Sequence, residues 1–221
     1  MSETCRSRSG PTSCPWCGLG SHRLHRALDG FEHRDDTEVT YRSFQLDLSL
    51  PEGTSQPVAE MLARKYGTSP DQVVSMTSRV ERLAEEDGLQ PYHVSDNRIG
   101  NTGPAHELLA YATEQGRHPE AWQTMFRAYF GQQRSIFERS SLLDIAADIG
   151  FDPDGAAEAL ESRRFRDRVV EDQEQAHALG ARGVPFYVID RTYGIAGAQS
   201  VEVIGQVLDG AWAAAGGTAT S

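Results

Sequence analysis

Apolar positions along the chain recur with two periods, and the places where the period changes outline the fold. Leu24, Leu28 and Phe31 fall four and three residues apart, which puts them on one helical face and starts a helix near Cys14. Val39, Tyr41, Phe44, Leu46 and Leu48 then roughly alternate and are rich in β-branched and aromatic side chains. Closed by Pro51 and Gly53, the segment 38–48 reads as a strand. Ser69-Pro70-Asp71-Gln72 is a capping box with proline at the first helical position. Val73, Met76, Val80 and Leu83 follow on one face until Gly88 stops the helix.

The same helical period predicts further helices at 102–115, 119–132, 141–149, 153–163 and 165–180, whose apolar stripes are core faces. After Gly183 the period returns to two. Val184 to Asp190 and Tyr193 to Gly197 are close enough to form a hairpin around Arg191-Thr192. Ser200 then caps a last helix carrying Val201, Ile204, Val207, Leu208 and Trp212. The order of elements predicts an α/β domain built from residues 1–54 and 181–215, interrupted by a helical insertion over 55–180. Residues 216–221 form a tail expected to fray, and residues 1–13 a polar leader.

Composition narrows the partners. With 21 Lys+Arg against 32 Asp+Glu the net charge is 21 − 32 = −11, and no basic block interrupts it, which argues against nucleic acid and anionic membrane surfaces. Val184–Ile189 is a six-residue apolar run, far short of the roughly 20 residues a membrane helix needs. Met1 to Arg8 has no apolar stretch of the signal-peptide kind, so the expected compartment is the cytoplasm. Three cysteines are too few for a secreted disulfide framework, and a close pair in a reducing compartment points to catalysis or metal binding.

Cys14-Pro15-Trp16-Cys17 sets two thiols within one helical turn, near enough to close into a disulfide and reopen. Pro15 suits the first helical position and leaves Cys14 at the helix N-terminus, where free N–H groups and the helix dipole favour a thiolate. Cys14 is therefore the expected acidic, exposed nucleophile and Cys17 the resolving thiol. Pro15 and Trp16 shape the active surface, with Trp16 exposed between the thiols. A zinc site would need two more ligands, and only Cys5 and scattered histidines are on offer. Cys5 reads as incidental. His22, His25, His33, His93, His118 and His177 read as surface or core residues, and His106 as structural at a helix start.

Val184-Pro185 opens an apolar strand with a proline, which predicts a cis bond in a special turn. A cis bond would turn the Val184 backbone toward Cys14 and offer N–H and C=O groups to an extended thiol substrate. Gln199 and Ser200 stand at the last helix's N-terminus, a place that suits a carboxylate such as glutathione's γ-glutamyl end, or simply a helix cap.

Taken together, Cys14-Pro15-Trp16-Cys17 with Leu19-Gly20, Phe44-Gln45-Leu46, Asn101-Thr102 with Ala105-His106, Gly183-Val184-Pro185-Phe186 and Gly197-Ala198-Gln199 resemble the cytosolic FrnE-type branch of the DsbA-like thioredoxin-fold oxidoreductases. The resemblance runs from Cys14 to Trp212. It implies a thioredoxin-like fold with a large all-helical insertion, cis geometry at Pro185, and thiol-disulfide exchange through the cysteine pair. The implied substrates are thiols or disulfides of proteins or small molecules. The resemblance implies no metal and no bound cofactor, glutathione or another thiol as redox partner, and a monomer or homodimer.

Related glutathione-binding enzymes, the 2-hydroxychromene-2-carboxylate isomerases and kappa-class glutathione transferases, usually put serine where Cys14 stands. A glutathione-dependent isomerase or transferase acting on a small aromatic is thus the alternative activity, and a non-catalytic peptide-binding module a third reading. One departure stands out: the family runs a hydrophobic strand into its first cysteine, whereas residues 1–13 have poor β-propensity. The first strand is expected to be missing or degenerate, or the residues before Cys14 to arise from a shifted reading frame.

Overall fold

A computed structural model describes residues 5–8, 12–179, 181 and 183–216. Its central element is helix α1 (Pro15–Asp29), entered through Cys14, an extended N-cap with φ −85° and ψ 117°. Beside it lies a three-stranded antiparallel sheet. The strand order is β1 (Cys5–Arg8), β4 (Phe186–Ile189), β5 (Tyr193–Ala196), with Arg8 opposite Phe186 and Phe186 opposite Ala196. The first strand is thus present in degenerate form. Backbone pairing asks nothing of side-chain polarity, so the sequence Cys-Arg-Ser-Arg can complete a ladder that its composition disfavours. The Cys5 side chain, most of the polar leader and the tail beyond Gly216 lie outside the described residues.

The predicted strand 38–48 does not form. Thr37, just before it, makes an isolated bridge, and the segment 38–48 joins no sheet among the described residues. Its N–H groups go to side chains instead: Tyr41 N–H donates to His118 Nε2 at 2.6 Å, Ser43 N–H to Asp172 Oδ2 at 2.9 Å, and Gln45 N–H to Gln173 Oε1 at 3.2 Å. The alternation holds only as far as Phe44, since Leu46 and Leu48 stand in the open, and the groups that satisfy the segment's donors come from two helices.

Between Val58 and Ala178 the chain is mainly helical: α2 (Val58–Tyr66), which the periodic reading did not place, and, as expected, α3 (Pro70–Glu86), α4 (Gly103–Glu114), α5 (His118–Phe126), α6 (Arg139–Ile149), α7 (Pro153–Ser162) and α8 (Arg166–Ala178). The capping box at α3 is realised in both directions, with Gln72 N–H donating to Ser69 Oγ at 3.3 Å and Ser69 N–H to Gln72 Oε1 at 3.0 Å. Two further features escape the periodic reading. A ribbon of three-residue strands, β2 (Ser55–Pro57) and β3 (Arg98–Gly100), ties the insertion's entry to its middle. The helix expected to run on to residue 132 also widens after Phe126 into a π-helical turn, Arg127–Gly131. The chain ends on α9 (Val201–Ala214), capped by Ser200 Oγ, which accepts from Val203 N–H.

Two cores meet at α1. Leu24, Leu28 and Phe31 pack with Tyr187, Ile189 and Ile195 of the sheet and Ile204 and Leu208 of α9. Cys14, Cys17 and Leu19 belong instead to the large insertion core around Trp122, Tyr129 and Phe130. No described helix is long and apolar enough to cross a membrane.

Candidate active site

Cys14 and Cys17 bracket the first turn of α1 and are not joined in a disulfide. Cys17 N–H donates to the Cys14 carbonyl at 2.9 Å, so the turn is closed and both sulfurs face the same side. The Cys14 thiol is held below its ordinary pKa chiefly by the hydrogen bond from the Cys17 side chain, with the N–H groups of Cys17 and Trp16 adding to it. Together these outweigh the burial that pushes the other way. The expected acidity therefore has its physical source in the helix start itself.

The expected exposure of Cys14 does not hold, since it is only 6% exposed and Cys17 is fully buried. Trp16, expected in the open, is half-buried and packs on the insertion core, as does Val184. The insertion covers what a bare thioredoxin-like sheet would leave open. Around the sulfurs stand the phenols of Tyr92, Tyr129 and Tyr187, all pushed up first by burial and then by the thiols' negative charge.

The Val184–Pro185 bond is cis, and the Val184 carbonyl lies 4.0 Å from Cys14 Sγ. The loop is tied down on its far side by Gly197 N–H, which donates to Pro185 O at 2.8 Å. What lets this loop approach α1 is Gly20. A Cβ there would run into the Tyr187 hydroxyl and lie 3.0 Å from Pro185 Cγ. Two residues earlier, on another side of the helix, Gly18 does the same for the insertion, where a Cβ would meet the Tyr92 hydroxyl and the Phe130 ring at 3.2 Å. Tyr92 uses that closeness: its hydroxyl donates to the carbonyl of Pro15 at 2.5 Å, inside the cysteine turn.

Arg23, further along α1, joins three parts of the chain by pairing with Asp87 beyond α3 at 2.5 Å and donating to Ala198 O at 2.9 Å. That fixes the loop before α9 against α1. The Ser200 hydroxyl serves as the α9 cap, and the exposed Gln199 amide donates to Ala196 O at 2.7 Å. His106, fully buried in α4, packs 5.7 Å from the Trp122 ring, with only a weak contact to the Phe44 backbone to meet its nitrogens among the described residues. Burial lowers its pKa to about 4, so it is neutral and structural near neutral pH.

The sequence reading brought Cys14, Cys17, Pro15, Val184 and Pro185 together and missed Tyr92, Tyr187, Gly18 and Gly20. A signal for the glycines was available. Two glycines inside the first turns of a helix cost stability, and close packing is the usual compensation. Tyr92 gave no signal, because it sits in an irregular loop far along the chain from Cys14.

Comparison with known proteins accords with this geometry. A crystal structure of a probable DsbA oxidoreductase, SCO1869 from Streptomyces coelicolor, superposes with a TM-score of 0.90 at 37% identity, covering 99% of this chain and 92% of that one. The uncharacterized protein YwbO of Bacillus subtilis is 25% identical over 182 residues, 81% of this chain and 83% of YwbO. The cytosolic disulfide reductase DsbM of Pseudomonas aeruginosa, solved with GSH, shares the fold at a TM-score of 0.64 and 20% identity, covering 96% of this chain and 98% of that one. The family model for a DSBA-like thioredoxin domain matches residues 12–209, and on that match the chain belongs to the DSBA-like thioredoxin family.

Proposed function

We propose that the protein is a thiol-disulfide oxidoreductase that exchanges disulfides through Cys14 and Cys17 in the cytoplasm. The observation that carries this reading is the cysteine turn itself: a low-pKa Cys14 at a helix N-cap, hydrogen-bonded by the Cys17 thiol and facing the Val184 carbonyl. In the reducing direction Cys14 thiolate attacks one sulfur of a substrate disulfide. The substrate S–S bond breaks, its other sulfur leaves as a thiolate, and a mixed disulfide forms on Cys14. Cys17 then loses its proton and attacks Cys14 Sγ. The second substrate thiolate leaves, and the enzyme is left with a Cys14–Cys17 disulfide and two electrons fewer. Run backward, the same steps oxidise a dithiol.

Burial of Cys14 favours a small or extended substrate that can pass Trp16 and lie along Val184. Glutathione fits both conditions as redox partner, and the DsbM structure with GSH supports it. Its γ-glutamyl carboxylate would lie near Gln199 and Ser200, toward the N–H groups that open α9.

Replacing Cys17 by Ser should trap a mixed disulfide on Cys14, detectable by intact-protein mass spectrometry after incubation with glutathione disulfide. Replacing Cys14 by Ser should abolish exchange. Full exchange by Cys14→Ser would overturn the assignment, and full turnover by Cys17→Ser would move it to a glutathione-dependent transferase or isomerase.

A further inference from the structure

A concavity of about 580 Å³ lies on the side of α1 turned away from Pro185, between the helix, the loop 89–92 and the π-helical turn. That volume is within the ordinary range for small-molecule sites, roughly 300–1,000 Å³. We propose that it binds a small apolar acid, a planar or aromatic body bearing one carboxylate or sulfonate. The proposal does not depend on thiol exchange.

The floor is apolar and flat-sided. Leu89, Tyr92, Phe126 and Phe130 line it, with the Tyr92 and Phe130 rings stacked at 4.7 Å. On this face α1 presents the small residues Gly18 and Ser21, and Gly18 lets Tyr92 and Phe130 close in to form the floor. At the mouth stands Arg127. It enters no ion pair among the described residues, and its guanidinium donates only to the neutral Thr124 hydroxyl at 3.3 Å. A guanidinium carries five N–H donors, so a fork remains for an anionic oxygen pair.

Charge selects the ligand's sign. None of the residues lining the concavity is Asp or Glu, although the chain carries 32 of them against 21 Lys+Arg. Asp87 lies close by, and its carboxylate is already engaged by Arg23 at 2.5 Å. A positively charged mouth over an aromatic floor, cleared of acids in an acidic protein, favours an anion with an apolar body over a neutral or cationic one. The π-helical turn is the second, independent sign. Such turns break regular helix hydrogen bonding and occur frequently at functional sites, and this one sets Arg127 and Phe130 on a single wall.

The site does not include the sulfurs: Cys14, Trp16 and Val184 do not line it. It touches the redox helix through Gly18 and through Tyr92, whose hydroxyl holds the Pro15 carbonyl. A bound acid would therefore sit behind the cysteine turn without contacting the reacting atoms.

The test uses the full chain, isotopically labelled and followed by NMR, titrated with 1-naphthoate and with the neutral 1-naphthylmethanol. Naphthoate should bind saturably, shift the Gly18, Tyr92 and Gly131 amides, and bind at least tenfold more tightly than the alcohol. Arg127 is exposed, so Arg127→Gln should fold normally. It should bring naphthoate down to the affinity of the alcohol while leaving alcohol binding unchanged. Cys14→Ser should bind naphthoate as the wild type does. No saturation at millimolar naphthoate, equal affinity for the two probes, shifts centred on Cys14 and Pro185, or loss of binding in Cys14→Ser would each overturn the proposal.

Discussion

The two sides of α1 do different work although they share one helix. Toward the sheet, Gly20, Leu24 and Leu28 meet Pro185, Tyr187 and Ile204 in a small core of alternating strands and one helix. Toward the insertion, Cys17, Gly18 and Leu19 meet Tyr92, Phe130 and the large aromatic cluster around Trp122. The sheet side supplies the loop that faces Cys14. The insertion side supplies the low-dielectric enclosure and the hydroxyl on the cysteine turn. A thioredoxin-like frame thus positions Cys14, and the insertion sets its surroundings.

The sharpest way to break this division is to empty each core separately. Trp122→Ala should cost about 3–5 kcal/mol, the usual range for a buried aromatic, and should also move the Cys14 titration because the enclosure loosens. Leu28→Ala should cost about 2–5 kcal/mol and leave that titration where it was. Urea unfolding and the pH dependence of iodoacetamide labelling separate the two effects. A Leu28 variant that shifts the Cys14 titration as far as the Trp122 variant does would show that the two sides are not independent.

Acid should attack the insertion side first. His106 and His118 both have pKa values lowered to about 4, chiefly by burial. His118 is also locked neutral, with Nε2 accepting from Tyr41 N–H and Nδ1 donating to Thr113 Oγ1 at 2.6 Å. Because the folded values lie below the unfolded value near 6.5, the unfolded chain binds more protons below that pH. Stability is whole above about 6.5 and falls as pH drops toward 4, by about 3 kcal/mol for His106 alone. His118→Gln, whose amide oxygen can still accept from Tyr41, should flatten part of the slope in urea melts taken between pH 7 and 4. An unchanged slope would remove His118 from the account.

Filling either glycine should cost about 1–3 kcal/mol by overpacking, with different consequences. Gly20→Ala pushes the Pro185 loop off the helix and should slow exchange by weakening substrate alignment. Gly18→Ala displaces Tyr92 and should act on Cys14 acidity. Measuring stability and thiol labelling on both variants tells the sides apart. The smallest expected effect is Tyr92→Phe, about 0.5–1.5 kcal/mol for the bond to Pro15 O. It should also raise the Cys14 pKa modestly, because a polar group leaves the sulfur's surroundings. A Cys14 titration identical to the wild type would reduce Tyr92 to a packing role.

How much of this was legible in the residues varies with range. The capping box at Ser69 and Gln72, the helix opened by Pro15 and the hairpin after Gly183 were readable because each is decided within a few residues. The strand predicted at 38–48 failed for the opposite reason. Its alternation was real, yet whether Tyr41, Ser43 and Gln45 join a ladder depends on where His118, Asp172 and Gln173 stand. Cys5–Arg8 is the converse case, a strand with no local signal that exists because β4 offers a partner.

For the site, the sequence by itself determined the covalent pattern: two thiols one turn apart, a proline that starts a helix between them, and a proline turn placed to face them. Those follow from covalent spacing and helix geometry, which no distant residue can alter. Tertiary structure alone decided that Cys14 would be buried, that three phenols would enclose it, and that Gly18 and Gly20 would admit one neighbour each. Burial and close approach are properties of pairs of segments far apart in the chain, and no local pattern records which pairs will meet.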